Sequence, residues 1–153
     1  MEKIPVKPIG FVRTELEKDE LRKRRYNSDL VINPIYENAL EGIEGFSHLN
    51  VIFWMHHISK KERSNLKARQ RGRRDMPLLG VFATRSPQRP NPIGLTLVEL
   101  IERRGNIVTV KGLDAIDGTP ILDLKPYDAW DRAKKIRVPS WRRRIERDRT
   151  HRQ

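Results

Sequence analysis

The chain has 153 residues, 37% hydrophobic and 34% charged, with a net charge of +12 and no cysteine. That length suits one domain with a real core and is short for two. The missing cysteines exclude disulfides, thiolate zinc sites, iron–sulfur clusters and cysteine nucleophiles, so metal ligands could come only from His and carboxylates.

In chain order, Ile4 to Thr14 (IPVKPIGFVRT) mixes β-branched residues with Pro and Gly and reads as an edge strand bent at Pro8-Ile9-Gly10. Glu15 to Arg25 has no periodic apolar face and reads as a loop or weak helical turn, followed by a short strand over Leu30 to Ile35. From Pro34, the apolar residues Ile35, Ala39, Leu40 and Ile43 recur at helical spacing before Gly45, which predicts a short helix. Phe46 to His57 (FSHLNVIFWMHH) is nearly continuous apolar sequence, expected as a central strand buried on both faces. Further strands are predicted over Leu78–Ala83, Leu95–Ile101, Ile107–Leu113 and Thr119–Leu124, with turns at Gly105-Asn106 and Asp117-Gly118. Six or more closely spaced strands and one internal helix argue for a mainly β barrel or sandwich, largely antiparallel. Near the end, Ser140 reads as the N-cap of a basic helix with Trp141 and Ile145 on one stripe. No apolar run approaches the length that spans a bilayer, and the start MEKIPVKPIG lacks the apolar stretch of a signal peptide, so a cytoplasmic location and no membrane partner are expected.

The positive charge is concentrated. From Ser59 to Asp75 eight basic residues face two acidic ones, and from Trp141 to Gln153 six face two. One-signed clusters of this kind favour polyanions, because each neutralised phosphate releases condensed counterions. Lys67, Arg69, Arg71, Arg73, Arg74, Arg142, Arg143 and Arg144 are the candidate RNA contacts. A charged thermophile surface is the competing reading, although such networks mix signs.

The segment Ala83 to Gly94 (ATRSPQRPNPIG) holds Pro87, Pro90 and Pro92, each fixing φ and removing a donor, so it is neither helix nor central strand. A preset loop carrying Arg85 and Arg89 suits an anionic ligand, since guanidinium forks match carboxylate and phosphate and little entropy is lost on ordering. The alternative is a stiff turn with solvated arginines. The nine glycines include no pair two apart, so the dinucleotide fingerprint cannot be written, and neither a phosphate loop nor a GxSxG elbow is present. Adjacent His56 and His57 at a strand end would point to opposite faces, which disfavours joint metal ligation, and no metal is expected. His48 reads as a satisfied core residue. Leu113 to Asp128 (LDAIDGTPILDLKPYD) crowds Asp114, Asp117 and Asp123 around a turn; Asp123 and Lys125 are either a surface ion pair or part of a site.

Together PIGFVRT, LEGIEGFSHLNVIFW, GVFATRSPQRPNPIGLTLVEL and LDAIDGTPILDLKPY resemble the small β-barrel S-adenosylmethionine-dependent tRNA methyltransferase family (TrmO-like), in its short, archaeal-type form, from about Ile4 to Tyr127. The resemblance implies a compact barrel, assigned here to 1–130; where longer members carry a C-terminal domain, this chain has a basic extension over 131–153. It also implies S-adenosylmethionine as cofactor, methylation of a threonylcarbamoyl-adenosine next to the tRNA anticodon, and a homodimer with sites near the subunit interface. It puts His56, His57, Arg85, Leu95, Asp114, Ala115, Ile116 and Asp117 around the cofactor, with Arg89, Pro90 and Asn91 supporting the loop. His57 or Asp117 would be the proton acceptor if one is used. Longer bacterial members carry an early proline, glutamine and glycine element; here that interval reads RKRRYNSDLVINP, with Arg25 to Ser28 in the equivalent place. A non-catalytic RNA-binding barrel is the alternative function, and metal-assisted hydrolysis at His56 a third.

Overall fold

The computed structural model describes residues 4–142, with the backbone but not the side chain of Arg71. Strands β1 (Gly10–Arg13), β2 (Asn27–Ile32), β3 (His48–Trp54), β6 (Ile93–Arg104), β7 (Ile107–Lys111) and β8 (Pro120–Pro126) close into an antiparallel barrel in the order β1-β2-β7-β6-β3-β8. Two short strands, β4 (Lys67–Arg69) and β5 (Leu78–Gly80), form a separate ribbon between β3 and β6. The one-turn helices α1 (Lys18–Leu21) and α2 (Lys60–Arg63) both begin with a capping box.

Alternation dictates the barrel. In β2, β3 and β7, and in β6 as far as Val98, every second side chain is buried, and Leu30, Ile32, Leu49, Val51, Val98, Val108 and Val110 fill the interior. Each such side chain stabilises the fold by about 1.5–3 kcal/mol relative to exposure, and closure gives every strand of the barrel two neighbours. Buried polar residues Ser28, Thr96 and Thr119 lie toward the end where β2 and β8 begin.

Several expectations change in detail. The first strand is short and pairs on both sides, with β2 and β8, so it is not an edge. The apolar run 46–57 forms a strand only to Trp54, and its second face is half-buried because it is the outside of a barrel rather than the middle of a layered sheet. Residues 78–83 do not join the barrel; three pair with β4, and Val81–Ala83 form a 3-10 turn. The helix from Pro34 is 3-10, with Asn33 accepting the Ile35 amide at its start. Residues 140–142 are helical, beginning at Ser140 rather than after it, with the Arg142 amide on the Pro139 carbonyl; Ile145, Arg143 and Arg144 lie outside the described residues. Among the described residues no helix is long and apolar enough to cross a membrane.

Gly94, the last residue of the proline-rich motif, faces the interior of β6, where an added Cβ would come within 2.3 Å of the Phe53 ring. That ring is 5% exposed and cannot swing away. Gly94→Ala therefore destabilises the chain by about 1–3 kcal/mol through overpacking, read as a lower urea midpoint with unchanged slope.

Candidate functional site

Strand β6 pairs with β3 along Ile93–Glu99, whereas β7 meets it only from Glu99 onward. The stretch Ile93–Val98 thus lacks a β7 partner, and its backbone groups need others. Two long-range contacts meet this stretch on adjacent residues. Arg85 donates from Nη2 to the Leu95 carbonyl at 2.7 Å, and the Thr96 hydroxyl donates to Oδ1 of Asp114. Oδ2 of Asp114 receives the Arg24 guanidinium, half-exposed at 35% against 34% for Asp114. The proline-rich loop and the turn after β7, distant in sequence, are brought to one rim of the barrel through Leu95 and Thr96.

The loop bearing Arg85 is fixed from several sides. Its amide donates to Oε1 of the buried Gln70 at 3.2 Å, and Arg89 donates to the carbonyls of Val81 and Thr84 at 3.1 and 3.4 Å. Gln88 donates to Glu62 at 3.1 Å, and Glu62 also takes the Ser59 hydroxyl and amide, so α2 and the loop share one carboxylate. The Ser59 bonds, then Gln88, hold that carboxyl below its ordinary range. Arg63 lies 5.1 Å above the Trp54 ring and ties α2 to the barrel wall. Pro90 and Asn91 continue the loop, and the Pro92 carbonyl accepts the Met55 amide at 2.7 Å, which sets the turn containing His56 and His57 beside the start of β6.

His56 and His57 do not point to opposite faces. The strand ends at Trp54, and in the turn that follows the two rings lie 4.1 Å apart at 44°. The Nδ1 atom of His56 is buried without a hydrogen-bond partner, and burial, with the neighbouring His57 charge, pushes its pKa below the usual 6.5. Beyond Asp114, Ala115 is a core residue at 3% exposure, Ile116 is half-buried, and exposed Asp117 accepts the Thr14 amide through Oδ1 at 2.9 Å. Leu95 projects outward, 50% exposed, in a stripe with Ile93, Leu97 and Ile101.

Other residues fall away from this rim. Asp123, half-buried, pairs with exposed Lys125 at 2.9 Å on the outer face of β8, an arrangement that contributes little. His48 begins β3, opposite the end that leads to His56; it is half-buried, with Nδ1 bonded to the Ser47 hydroxyl at 2.9 Å, and so is satisfied without being core. Among the described residues no three His, Asp or Glu side chains gather as metal ligands. Lys67 and Arg69 lie on β4; Arg73 and Arg74 follow in the connection to β5, where Arg73 pairs with Asp75.

Two open hollows, of about 470 and 350 Å³, lie on the outside of β1, β2, β7 and the far end of β6. The first is lined by Phe11, Asn33 and Asn106; in the second, Asp29 is already satisfied by Arg13 and Thr109, with Arg13 holding its carboxyl low. Neither touches the Arg85–Asp114 rim. Converging polar groups from three segments mark a site better than the volume of a shallow hollow.

Sequence reading missed Arg24 and Thr96. Thr96 had a signal, since it is the polar residue at an inward position of an otherwise apolar alternation. Arg24 had none; it adopts a left-handed φ of 54° in a run of like residues.

A small closed antiparallel barrel, with arginine and carboxylates gathered at one rim beside an exposed leucine, defines a ligand-binding β-barrel outside the doubly wound class. Residues 14–131 match the family model of the tRNA-methyltransferase O N-terminal domain, and the chain belongs to that family. It is 39% identical over 127 residues to an S-adenosyl-L-methionine-binding protein of Archaeoglobus fulgidus, covering 80% of this chain and 88% of that protein. It is 42% identical over 123 residues to the human tRNA (adenine(37)-N6)-methyltransferase, covering 78% of this chain and 25% of the human protein. The crystal structure of TrmO from Pseudomonas aeruginosa superposes with a TM-score of 0.70 at 32% identity, over 89% of this chain and 61% of that one. The chain therefore spans most of the archaeal relative and about a quarter of the human enzyme.

The depressed pKa of His56 has a directional consequence. Above 6.5 the ring is neutral folded or unfolded and contributes nothing; below 6.5 the unfolded chain takes up a proton that the folded chain resists, so stability falls as pH drops and levels off below the folded pKa. Thermal melts from pH 8 to pH 5 show this loss, and His56→Gln flattens it.

Proposed function

We propose that this chain binds S-adenosylmethionine at the Arg85–Leu95–Asp114 rim and methylates a nitrogen of a modified adenosine, of threonylcarbamoyl-adenosine type, next to the tRNA anticodon. The observation that carries the reading is the attachment of Arg85 and Asp114 to adjacent residues of β6, in a chain of this family. The donor set suits the cofactor. Arg85 spends one N–H on Leu95, and its fork has others for a carboxylate. Asp114 and Asp117 offer carboxylate oxygens to ribose hydroxyls or an amino group, the exposed Leu95 offers apolar cover for adenine, and the orphaned Nδ1 of His56 is a buried polar atom in need of a partner.

S-adenosylmethionine supplies a methyl group already activated on a sulfonium. The chain need only orient the acceptor nitrogen and exclude water. Arg24 and Thr96 fix the Asp114 carboxylate, and Arg89, with Pro90 and Asn91, fixes the loop that presents Arg85. His56 stays neutral at physiological pH, and His57 or Asp117 on the same rim receives the proton that leaves the nitrogen.

Lys67, Arg69, Arg71, Arg73 and Arg74, with Arg142, Arg143 and Arg144 of the basic extension over 131–153, supply phosphate contacts to the tRNA. Two copies pair through the outer face of β3 and β6. The support is the apolar stripe of Ile93, Leu95, Leu97 and Ile101, each 41–50% exposed; on this reading Leu95 lies at the seam.

Calorimetry with S-adenosylmethionine on the wild type and Arg85→Ala gives at least a tenfold loss of affinity in the variant; equal affinities would remove the assigned site. Labelled methyl transfer to tRNA tests the reaction, and salt-sensitive tRNA binding without incorporation would mark a non-catalytic RNA-binding barrel instead. Leu97→Arg sediments as a monomer while keeping the circular dichroism of the folded barrel.

A further inference from the structure

The outer face of the β4–β5 ribbon carries a combination that packing within the chain does not explain. The register pairs Lys67 with Gly80 and Arg69 with Leu78, which puts these four on one face while Ala68 and Leu79 turn to the other. Gly80 has φ −56° and ψ 141°, open to any residue, and a Cβ built on it meets nothing within 4 Å. A strand glycine with no steric duty gives up the packing a side chain would supply and suits a place where a ligand approaches closely.

Two residues on, Phe82 is 81% exposed on a turn that is firmly held. Val81 is buried at 2%, its amide donates to the Leu66 carbonyl, and its own carbonyl receives the Thr84 hydroxyl at 2.9 Å and the Arg89 guanidinium at 3.1 Å. An aromatic ring on so rigid a support loses little entropy on stacking. Arg69 is likewise oriented by its bond to the Met76 carbonyl.

We infer that this face docks a single-stranded stretch of RNA, with the strand crossing above Gly80, its phosphates met by Lys67 and Arg69, and one unstacked base lying on Phe82. The inference rests on the RNA reading above and deepens it. The charge of the 59–75 segment, eight basic against two acidic residues, selects a polyanion over a protein surface. A base presents its ring face to an aromatic side chain only when it has left a helical stack, which selects a loop over a duplex.

The test uses the full chain with Gly80→Val, Phe82→Ala, Phe82→Trp and Lys67→Ala, and reads both tRNA KM in methyl transfer and binding of a single-stranded RNA of anticodon-loop length. Valine suits a strand, so Gly80→Val folds and binds S-adenosylmethionine like the wild type. Its KM for tRNA and its dissociation constant for the oligonucleotide rise about tenfold, as do those of Phe82→Ala, while Phe82→Trp restores both. Lys67→Ala reduces the salt slope by about one. Wild-type values for Gly80→Val and Phe82→Ala would overturn the inference, as would their sedimenting at half the wild-type mass, which would make this face a contact between copies. A wild type that binds the oligonucleotide through this face but transfers no methyl group would sink the enzymatic reading and leave the docking surface standing.

Discussion

Everything at the rim follows from one mismatch of length. Strand β6 runs for twelve residues, while β7 has only five to pair with it. A buried backbone without partners costs about as much as a lost hydrogen bond for every group left over, so the free stretch of β6 must be met from elsewhere. The chain meets it at the Leu95 carbonyl with the Arg85 guanidinium, and on the next residue the Thr96 side chain is tied to Asp114. Structural need and ligand-binding chemistry therefore fall on the same residues, and the groups that complete the wall are also the ones facing out of it.

That arrangement depends on the insertion between β3 and β6 being rigid. Its fixtures are distributed: a cation over Trp54, a carboxylate shared by α2 and the loop, a buried glutamine under the Arg85 amide, and Arg89 inside the loop. Each is modest alone, since a single hydrogen bond or cation–π contact contributes about 0.5–1.5 kcal/mol net. Acting together on a segment whose prolines already restrict it, they give Arg85 a defined position.

The barrel was largely legible in the residues because short β-branched and apolar runs alternate with turn signals; which face each run buries was not, since the outward positions of β3 and β6 include Ile52, Trp54, Ile93, Leu95 and Leu97. The turns at Gly105 and Gly118 were legible for a related reason, since both glycines sit at positive φ. Strand β4 was hidden inside a run of basic residues, where solubility rather than alternation governs composition. The His56–His57 geometry went wrong because the apolar run 46–57 does not reveal where pairing stops; β3 ends at Trp54, where its partner β6 begins at Ile93. The link from Arg24 to Asp114 spans ninety positions and carries no local pattern at all.

Between Ile93 and Val98, neighbouring positions answer to separate demands. Gly94, Thr96 and Val98 are enclosed, and any change there is felt by the whole barrel; Ile93, Leu95 and Leu97 look outward. Such a division lets descent alter what the molecule recognises without altering what it is. Change in the outward set redirects what the wall meets, while the enclosed set stays almost frozen.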